Sequence, residues 1–189
     1  MEIIHERSDL KIITIIHLIQ DMQEAIILLG SNLGERYRKL KEARRLIGGL
    51  AGKIIRHSSV YESEPWGFEG ENTFLNQVVV IETSHGPGRL LKTLQHAEDE
   101  LGKQRVSQKD GYASRMIDID ILFYGREIIE SETLTVPHKL LHRRRFTLLP
   151  LSEIAADLVH PVFNKTIRQL LQECPDNSEV YKSNASTEQ

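Results

Sequence analysis

The 189-residue sequence holds one cysteine, Cys174. A single thiol excludes an intrachain disulfide and a multi-cysteine zinc site. Near the end of "TIRQLLQEC" it reads as a small hydrophobe. Nothing in this cysteine usage calls for an oxidising compartment, and a cytoplasmic location is expected. Long hydrophobic runs are also missing. The most apolar stretch, "LKIITIIHLI" (10–19), is too short to span a bilayer. The acids Glu2, Glu6 and Asp9 precede it instead of a basic leader, so no signal peptide is read there. Positive charge is not in excess: 24 Lys and Arg stand against 27 Asp and Glu, a formal net charge of -3. That balance disfavours general nucleic-acid binding but permits a local basic patch that holds phosphates. "GSNLGER" lacks the Gly-Lys-Ser/Thr ending of a P-loop. A G-x-S-x-G elbow is absent, which weakens a Ser-His-Asp hydrolase reading. The histidines are scattered, without metal-ligand spacing.

What is present describes an ordinary globular chain, 40% hydrophobic and 27% charged. One domain is expected over 24–175, after an extension (1–23) of no assigned chemistry and before a disordered tail (176–189). In the extension, Ile12, Ile15, Ile16 and Ile19 fit an amphipathic helix, with an added strand as the competing reading. Met22 could serve as the working start of the domain. "AIILLG" reads as a buried strand. The helix after it carries an apolar stripe of Leu33, Tyr37, Leu40, Ile47 and Leu50, with Ser31 or Asn32 as cap and Gly48–Gly49 as its end. "KIIRHSSVYES" has strand character, "EPWGFEGEN" is a loop, and "TFLNQVVVIETS" is a strong strand. "GPGRLLKTLQHAEDELG" is a helix with Pro87 in its first turn. A polar loop, "KQRVSQKDGYAS", leads into the strand "IDIDILFYG". "REIIESETLTVPH" is a small hairpin or arm, "RRFTLLPLSEIA" a helix pair interrupted at Pro150, and "TIRQLLQEC" the last helix. The order β-α-β-β-α-β specifies an α+β, ferredoxin-like core: an antiparallel sheet with both helices on one face, here with C-terminal helical additions.

The strand "IDIDILFYG" carries two acids. Alternation puts Asp118 and Asp120 on one face and Ile117, Ile119 and Ile121 on the other. Two strand rises separate the acids' α-carbons by about 6.6 Å, close enough for both carboxylates to converge on a hard cation. Mg²⁺ is held by one or two carboxylates plus substrate phosphates. A strand face with two solvated acids is the bland alternative. The neighbours favour the metal: Lys103, Arg105, Lys109 and Arg115 before the pair, and His138, Lys139, His142 and Arg143–Arg145 after it. Carboxylates for a cation beside Arg and Lys for phosphate oxygens are what a polyphosphate site needs. Each arginine by itself reads as a solvated surface residue. "EPWGFEGENTFLNQ" adds Trp66, Phe68, Phe74 and Asn76. An aromatic plate beside an amide suits a flat heterocycle; a core phenylalanine and a loop-capping asparagine is the competing reading.

Taken in order, "LLGSNLG", "SSVYESEPWGFEGENTFLNQVV", "SRMIDIDILFYG" and "LTVPHKLLHRRRFTLLPLSEIA" followed by "HP" resemble the 6-hydroxymethyl-7,8-dihydropterin pyrophosphokinase family, over roughly 25–173. The resemblance implies transfer of the β,γ-pyrophosphoryl group of ATP to the pterin hydroxymethyl group, with AMP released and two Mg²⁺ ions used. It implies that Asp118 and Asp120 are metal ligands, that Asn76 reads the pterin edge, and that Phe74 and Phe146 sandwich the ring. Ser63 and the Trp66 backbone match further pterin contacts. Gln95, Glu98, Arg105, Ile119, His138 and Arg144 match positions around ATP, with Lys103 alternative to Arg105 in alignment. Arg115 matches a mobile-loop arginine beside the phosphates, and Arg105 and Arg115 join the two aspartates as catalytic residues. The loop departs from the usual Trp-Gly-Pro-Arg, with Tyr112 and Ser114 in "YASR". Lys139 stands where tyrosine or proline is usual. A monomer without nucleic-acid or membrane partners is expected. Two other classes compete: a non-catalytic ferredoxin-like module that binds a nucleotide or small effector, and an RNA-binding ferredoxin-like domain. The second would want sheet-face aromatics and basic charge, which this sequence lacks.

Overall fold

The computed structural model describes residues 22–67, 70, 72–102 and 116–183. Its frame is a six-stranded antiparallel sheet in the order Val180–Lys182, Tyr61–Ser63, Phe74–Thr83, Gln23–Ser31 and Asp118–Tyr124, with Lys53–His57 also paired to Phe74–Thr83. The chain enters through β1 (Gln23–Ser31), helix α1 (Arg36–Leu50), β2 (Lys53–His57), β3 (Tyr61–Ser63), β4 (Phe74–Thr83), α2 (Pro87–Glu100) and β5 (Asp118–Tyr124). After these come the hairpin β6 (Ile129–Glu130) and β7 (Thr135–Val136), α3 (Arg145–Ala155), the hairpin β8 (Val159–His160) and β9 (Lys165–Thr166), α4 (Ile167–Gln172) and β10 (Val180–Lys182).

Period-two alternation in β1 divides the core. Ala25, Ile27 and Leu29 join Val79, Ile81, Ile117, Ile119 and Ile121 beneath α1 and α2, which contribute Leu40, Ala43, Ile47, Leu90 and Leu94. Ile26 and Leu28 join Val78, Val80 and Leu122 beneath α3 and α4, which contribute Leu148, Leu151, Ile167 and Leu170. Each fully buried Leu or Ile contributes about 1.5–3 kcal/mol, so both faces of the sheet are held down. The two βαβ helices share one face as expected, and the C-terminal helices cover the other.

Four expectations are corrected. The run Lys53–Ser63 is two strands, because Ser58 interrupts the ladder: its hydroxyl accepts the Val78 N–H at 3.0 Å. Five residues (His57 to Tyr61) then span four on β4 (Val79 to Asn76). Neither Ser31 nor Asn32 caps α1. Glu35 precedes the helix without a side-chain cap, and the helix runs through Gly48 and Gly49 to Leu50. Pro150 does not split α3, which is continuous over 145–155; its ring costs one backbone hydrogen bond, and it is buried. Residues 176–183 are not a disordered tail, for they supply β10, antiparallel to β3. Residues 1–21 of the extension and 184–189 lie outside the described residues. Among the described residues, no helix is long and apolar enough to cross a membrane.

Helix α3 is pinned to the sheet by one acid. The Glu153 carboxylate accepts from the Ser59 hydroxyl (2.9 Å), the Ser59 N–H (3.1 Å), the Tyr61 hydroxyl (2.9 Å) and Lys182 (3.3 Å). Burial alone would raise the Glu153 pKa, but the hydrogen bonds from Ser59, Tyr61 and Lys182 outweigh it and hold the group below its ordinary value. A depressed carboxyl contributes stability that is present above its unfolded pKa and lost as pH falls through its folded one. Glu153→Gln is therefore expected to lower unfolding free energy by about 1–3 kcal/mol at pH near 7. In urea unfolding, the gap between variant and wild type should narrow at a pH below the ordinary carboxylate range; a gap that holds at acid pH contradicts this account.

Candidate active site

The site forms on the α3 face of the sheet, at the end where β1 leaves it. Cross-strand pairing sets Tyr61 opposite Asn76, Asn76 opposite Gly30, and Gly30 opposite Asp118. Paired residues share a face, so these four lie in one row across β3, β4, β1 and β5. Ser63 opposite Phe74 forms the adjacent row, and Asp120 lies opposite Leu28. Asn76 is buried and donates through Nδ2 to the buried Ser63 hydroxyl at 2.9 Å, which fixes the amide's orientation. Asp118, Asp120 and Phe74 are half-buried.

Gly30 is the floor between the amide and the acids. A β-carbon there would meet Asn76 Oδ1 at 3.6 Å, so its absence keeps a cradle open between a hydrogen-bonding edge and two carboxylates. Two further contacts fix the start of β5. The Ser31 hydroxyl donates to the Met116 carbonyl. Glu98, buried in α2, accepts the Ile119 N–H at 2.8 Å. The Ile119 side chain itself is core, 5% exposed, so only its backbone faces any ligand.

An aromatic cluster stands over the sheet. Trp66 and Phe146 have ring centroids 6.4 Å apart, inclined at 59°. The Arg144 guanidinium lies 4.9 Å from the Trp66 centroid and 5.7 Å from that of Phe146, both within cation–π range. Arg144 Nε is buried with no hydrogen-bond partner among the described residues. His138 sits deeper. Burial first, then Arg144, lowers its pKa to about 4, with Asp118 acting in the opposite direction. Its Nδ1 accepts the Leu140 N–H at 3.3 Å. At neutral pH the ring is thus uncharged and offers Nε2–H as a donor.

The structure thus brings together Ser63, Phe74, Asn76, Asp118, Asp120, His138, Arg144, Phe146 and Trp66. Glu98 reaches β5 from the opposite face, and Gln95 is exposed on α2. Phe68, Lys103, Arg105, Tyr112, Ser114 and Arg115 lie outside the described residues. Three contributors were not foreseen. Gly30 could have been found from its phase, since it falls on the same strand face as Ile26 and Leu28. Tyr61 and Glu153 carry no local signal, being 92 residues apart. Among the described residues no group of three or more His, Cys, Asp or Glu side chains comes together to hold a metal. The donor set still fits a hard cation that shares its coordination with phosphate: two same-face carboxylates and no thiolate.

The sequence model of the family described as 7,8-dihydro-6-hydroxymethylpterin-pyrophosphokinase matches residues 26–156. A 2-amino-4-hydroxy-6-hydroxymethyldihydropteridine pyrophosphokinase of Haemophilus influenzae is 39% identical over 160 residues, 84% of this chain and 98% of that protein. The Bacillus subtilis protein of the same name is 43% identical over 131 residues, 69% of this chain and 77% of that one. The folic acid synthesis protein fol1 of Pneumocystis carinii is 40% identical over 83% of this chain, which spans only 21% of that longer protein. Among solved structures, Plasmodium falciparum HPPK-DHPS with pteroate superposes with a TM-score of 0.65 at 19% identity, covering 80% of this chain and 42% of that one. This likeness is one of fold, the ferredoxin-like α+β arrangement.

Trp66 is the chain's one tryptophan, so tryptophan-selective emission reports the site directly. Arg144→Ala is expected to change that emission while costing only about 0.5–1 kcal/mol of stability, the size of a partly exposed cation–π contact. Unchanged emission contradicts the stacking.

Proposed function

The chain belongs to the 7,8-dihydro-6-hydroxymethylpterin-pyrophosphokinase family, and from that premise we propose that it transfers pyrophosphate from ATP to the hydroxymethyl group of 6-hydroxymethyl-7,8-dihydropterin, a step of folate biosynthesis. The observation that carries this reading is the row Asn76–Gly30–Asp118, which sets a hydrogen-bonding amide, an empty strand position and a carboxylate side by side.

The chemistry assigned to each part follows from its type. Asn76, oriented by Ser63, presents donor and acceptor to the edge of a flat pterin. Phe74 below and Phe146 with Trp66 above supply aromatic faces for the ring. The hydroxymethyl group then extends over Gly30 toward Asp118 and Asp120. These two acids would hold two Mg²⁺ ions that arrive with ATP, which supply charge neutralisation for the triphosphate. Arg144, together with Arg105 and Arg115, would pair with phosphate oxygens, and His138 would donate one neutral hydrogen bond. Gln95, Glu98, Lys103 and the Ile119 backbone complete the ATP side. In the reaction the hydroxymethyl oxygen attacks the β-phosphorus in line. The new O–P bond forms as the bond from the β-phosphorus to the α,β-bridging oxygen breaks, AMP leaves, and the hydroxyl proton passes to solvent or a carboxylate. Catalysis is then largely positioning and charge stabilisation. No membrane or nucleic-acid partner enters this scheme, and a monomer suffices for it. Arg115 in the 103–115 loop is assigned to closing over the phosphates.

The test is AMP release from ATP with and without the pterin. Release should require both, and Asp118→Ala and Asp120→Ala should each fold yet lose activity by several orders of magnitude. Near-normal turnover in either overturns the metal assignment. Gly30→Val should fold, since the first added carbon meets only ordinary contacts. It should raise the pterin KM by at least about tenfold, the cost of roughly 1.4 kcal/mol, and leave the ATP KM nearly unchanged. For the loop arginine, Arg115→Ala should lower kcat far more than ATP affinity; equal losses would mark a plain binding residue.

A further inference from the structure

The residues matched by the family end at 156, yet the chain continues as an ordered segment through Ser183. This segment grips α3, the helix that carries Phe146 and follows Arg144. At one end Asp176 Oδ2 accepts the Arg145 N–H at 2.9 Å, while its other oxygen accepts the Ser178 N–H at 3.0 Å. Arg145 is the first residue of α3, and Arg144 before it supplies no side-chain cap. The first N–H groups of a helix have no partner within it. Asp176 therefore does from 31 residues away what an N-cap residue does locally, and its negative charge meets the positive end of the helix. At the other end Lys182 reaches Glu153 at 3.3 Å. Between these contacts β10 pairs with β3, Val180 opposite Ser63 and Lys182 opposite Tyr61, and Ser183 N–H donates to the Val60 carbonyl at 2.9 Å.

We propose that Asp176 is a positioning residue for pterin binding: by capping α3 it holds Arg144 and Phe146 in register with Trp66 across the pterin-reading row. This rests on the proposed pyrophosphokinase function, but part of its test does not. The first turn of a helix frays first when its cap is lost, and here that turn is one wall of the site. On the ATP side only Arg144 adjoins α3, whereas Gln95 and Glu98 lie on α2, so the pterin wall leans on the cap more than the ATP side does. Burial opposes ionisation of Asp176, but the hydrogen bonds from Ser178 and Arg145 outweigh it and keep the group ionised at neutral pH.

The experiment compares the full chain with Asp176→Ala and Asp176→Asn. Asparagine keeps an oxygen that accepts the Arg145 N–H; alanine keeps none. Asp176→Ala should raise the pterin KM about fivefold to tenfold, the loss expected of a missing cap. The ATP KM, which the cap reaches through Arg144 alone, should rise clearly less than the pterin KM, and Asp176→Asn should recover most of the loss. Without any substrate, Asp176→Ala should shift Trp66 emission and Asp176→Asn should not. Failure of wild type to release AMP overturns the proposed function, and the emission comparison still decides the cap. Wild-type emission and pterin KM in Asp176→Ala, equal rises in both KM values, or an asparagine variant no better than alanine would each overturn the positioning role.

Discussion

In-register pairing of β4, β1 and β5 is the constraint from which the site follows. Strand side chains alternate with a period of two, so a slip of one residue on β1 would turn Gly30 to the α1 face and put Leu29 or Ser31 between Asn76 and Asp118. Two buried cores prevent that slip. Ala25, Ile27 and Leu29 are committed to the helices on one face, and Ile26 and Leu28 to those on the other. A sheet packed on both sides thus serves as a ruler, and the polar row at its end is placed by apolar residues that never touch a ligand.

The other wall is helical, and its placement depends on charge. Glu153 gathers the Ser59, Tyr61 and Lys182 donors and holds α3 against β3. Glu62, on the opposite face of β3, accepts from Thr73 and Arg36 and so ties the loop before β4 to α1. Burial would raise the Glu62 pKa, but the bonds from Thr73 and Arg36 carry it below the ordinary value. These two acids on either side of one short strand keep Tyr61 and Ser63 still. The cations at the site are distributed differently: Arg144 lies on aromatic faces, with its Nε lacking a hydrogen-bond partner among the described residues, while His138 is kept neutral by burial and by that same guanidinium. A net charge of -3 leaves room for a local run of basic side chains such as Arg143–Arg145.

Much of this was legible in the residues. The apolar run of β1, the strand character of β4 and the spacing of Asp118 and Asp120 are local patterns, and the structure keeps each of them. Places where reading failed share one cause. Ser58 breaks a strand because its hydroxyl competes with its own carbonyl for the Val78 N–H, a choice made by the neighbouring strand. Ser31 offers a plausible cap by type, but Met116, 85 residues on, takes its hydroxyl. Pro150 sits where its missing N–H costs a single bond, so tertiary packing overrides a local breaker. Residues 176–183 are polar and near a terminus, and become a strand only because β3 presents an unpaired edge.

By itself the sequence determined which residues could do the chemistry: the paired aspartates, the amide, the aromatics and the basic run. Those are properties of side-chain type and short-range periodicity, carried by each segment wherever it goes. The tertiary structure alone decided that Gly30 would lie between Asn76 and Asp118, that Arg144 would rest on Trp66 and Phe146, and that Asp176 would cap the helix bearing that phenylalanine. Each joins residues tens of positions apart, and contacts of that kind are fixed by strand register and by the competition among buried polar groups for partners.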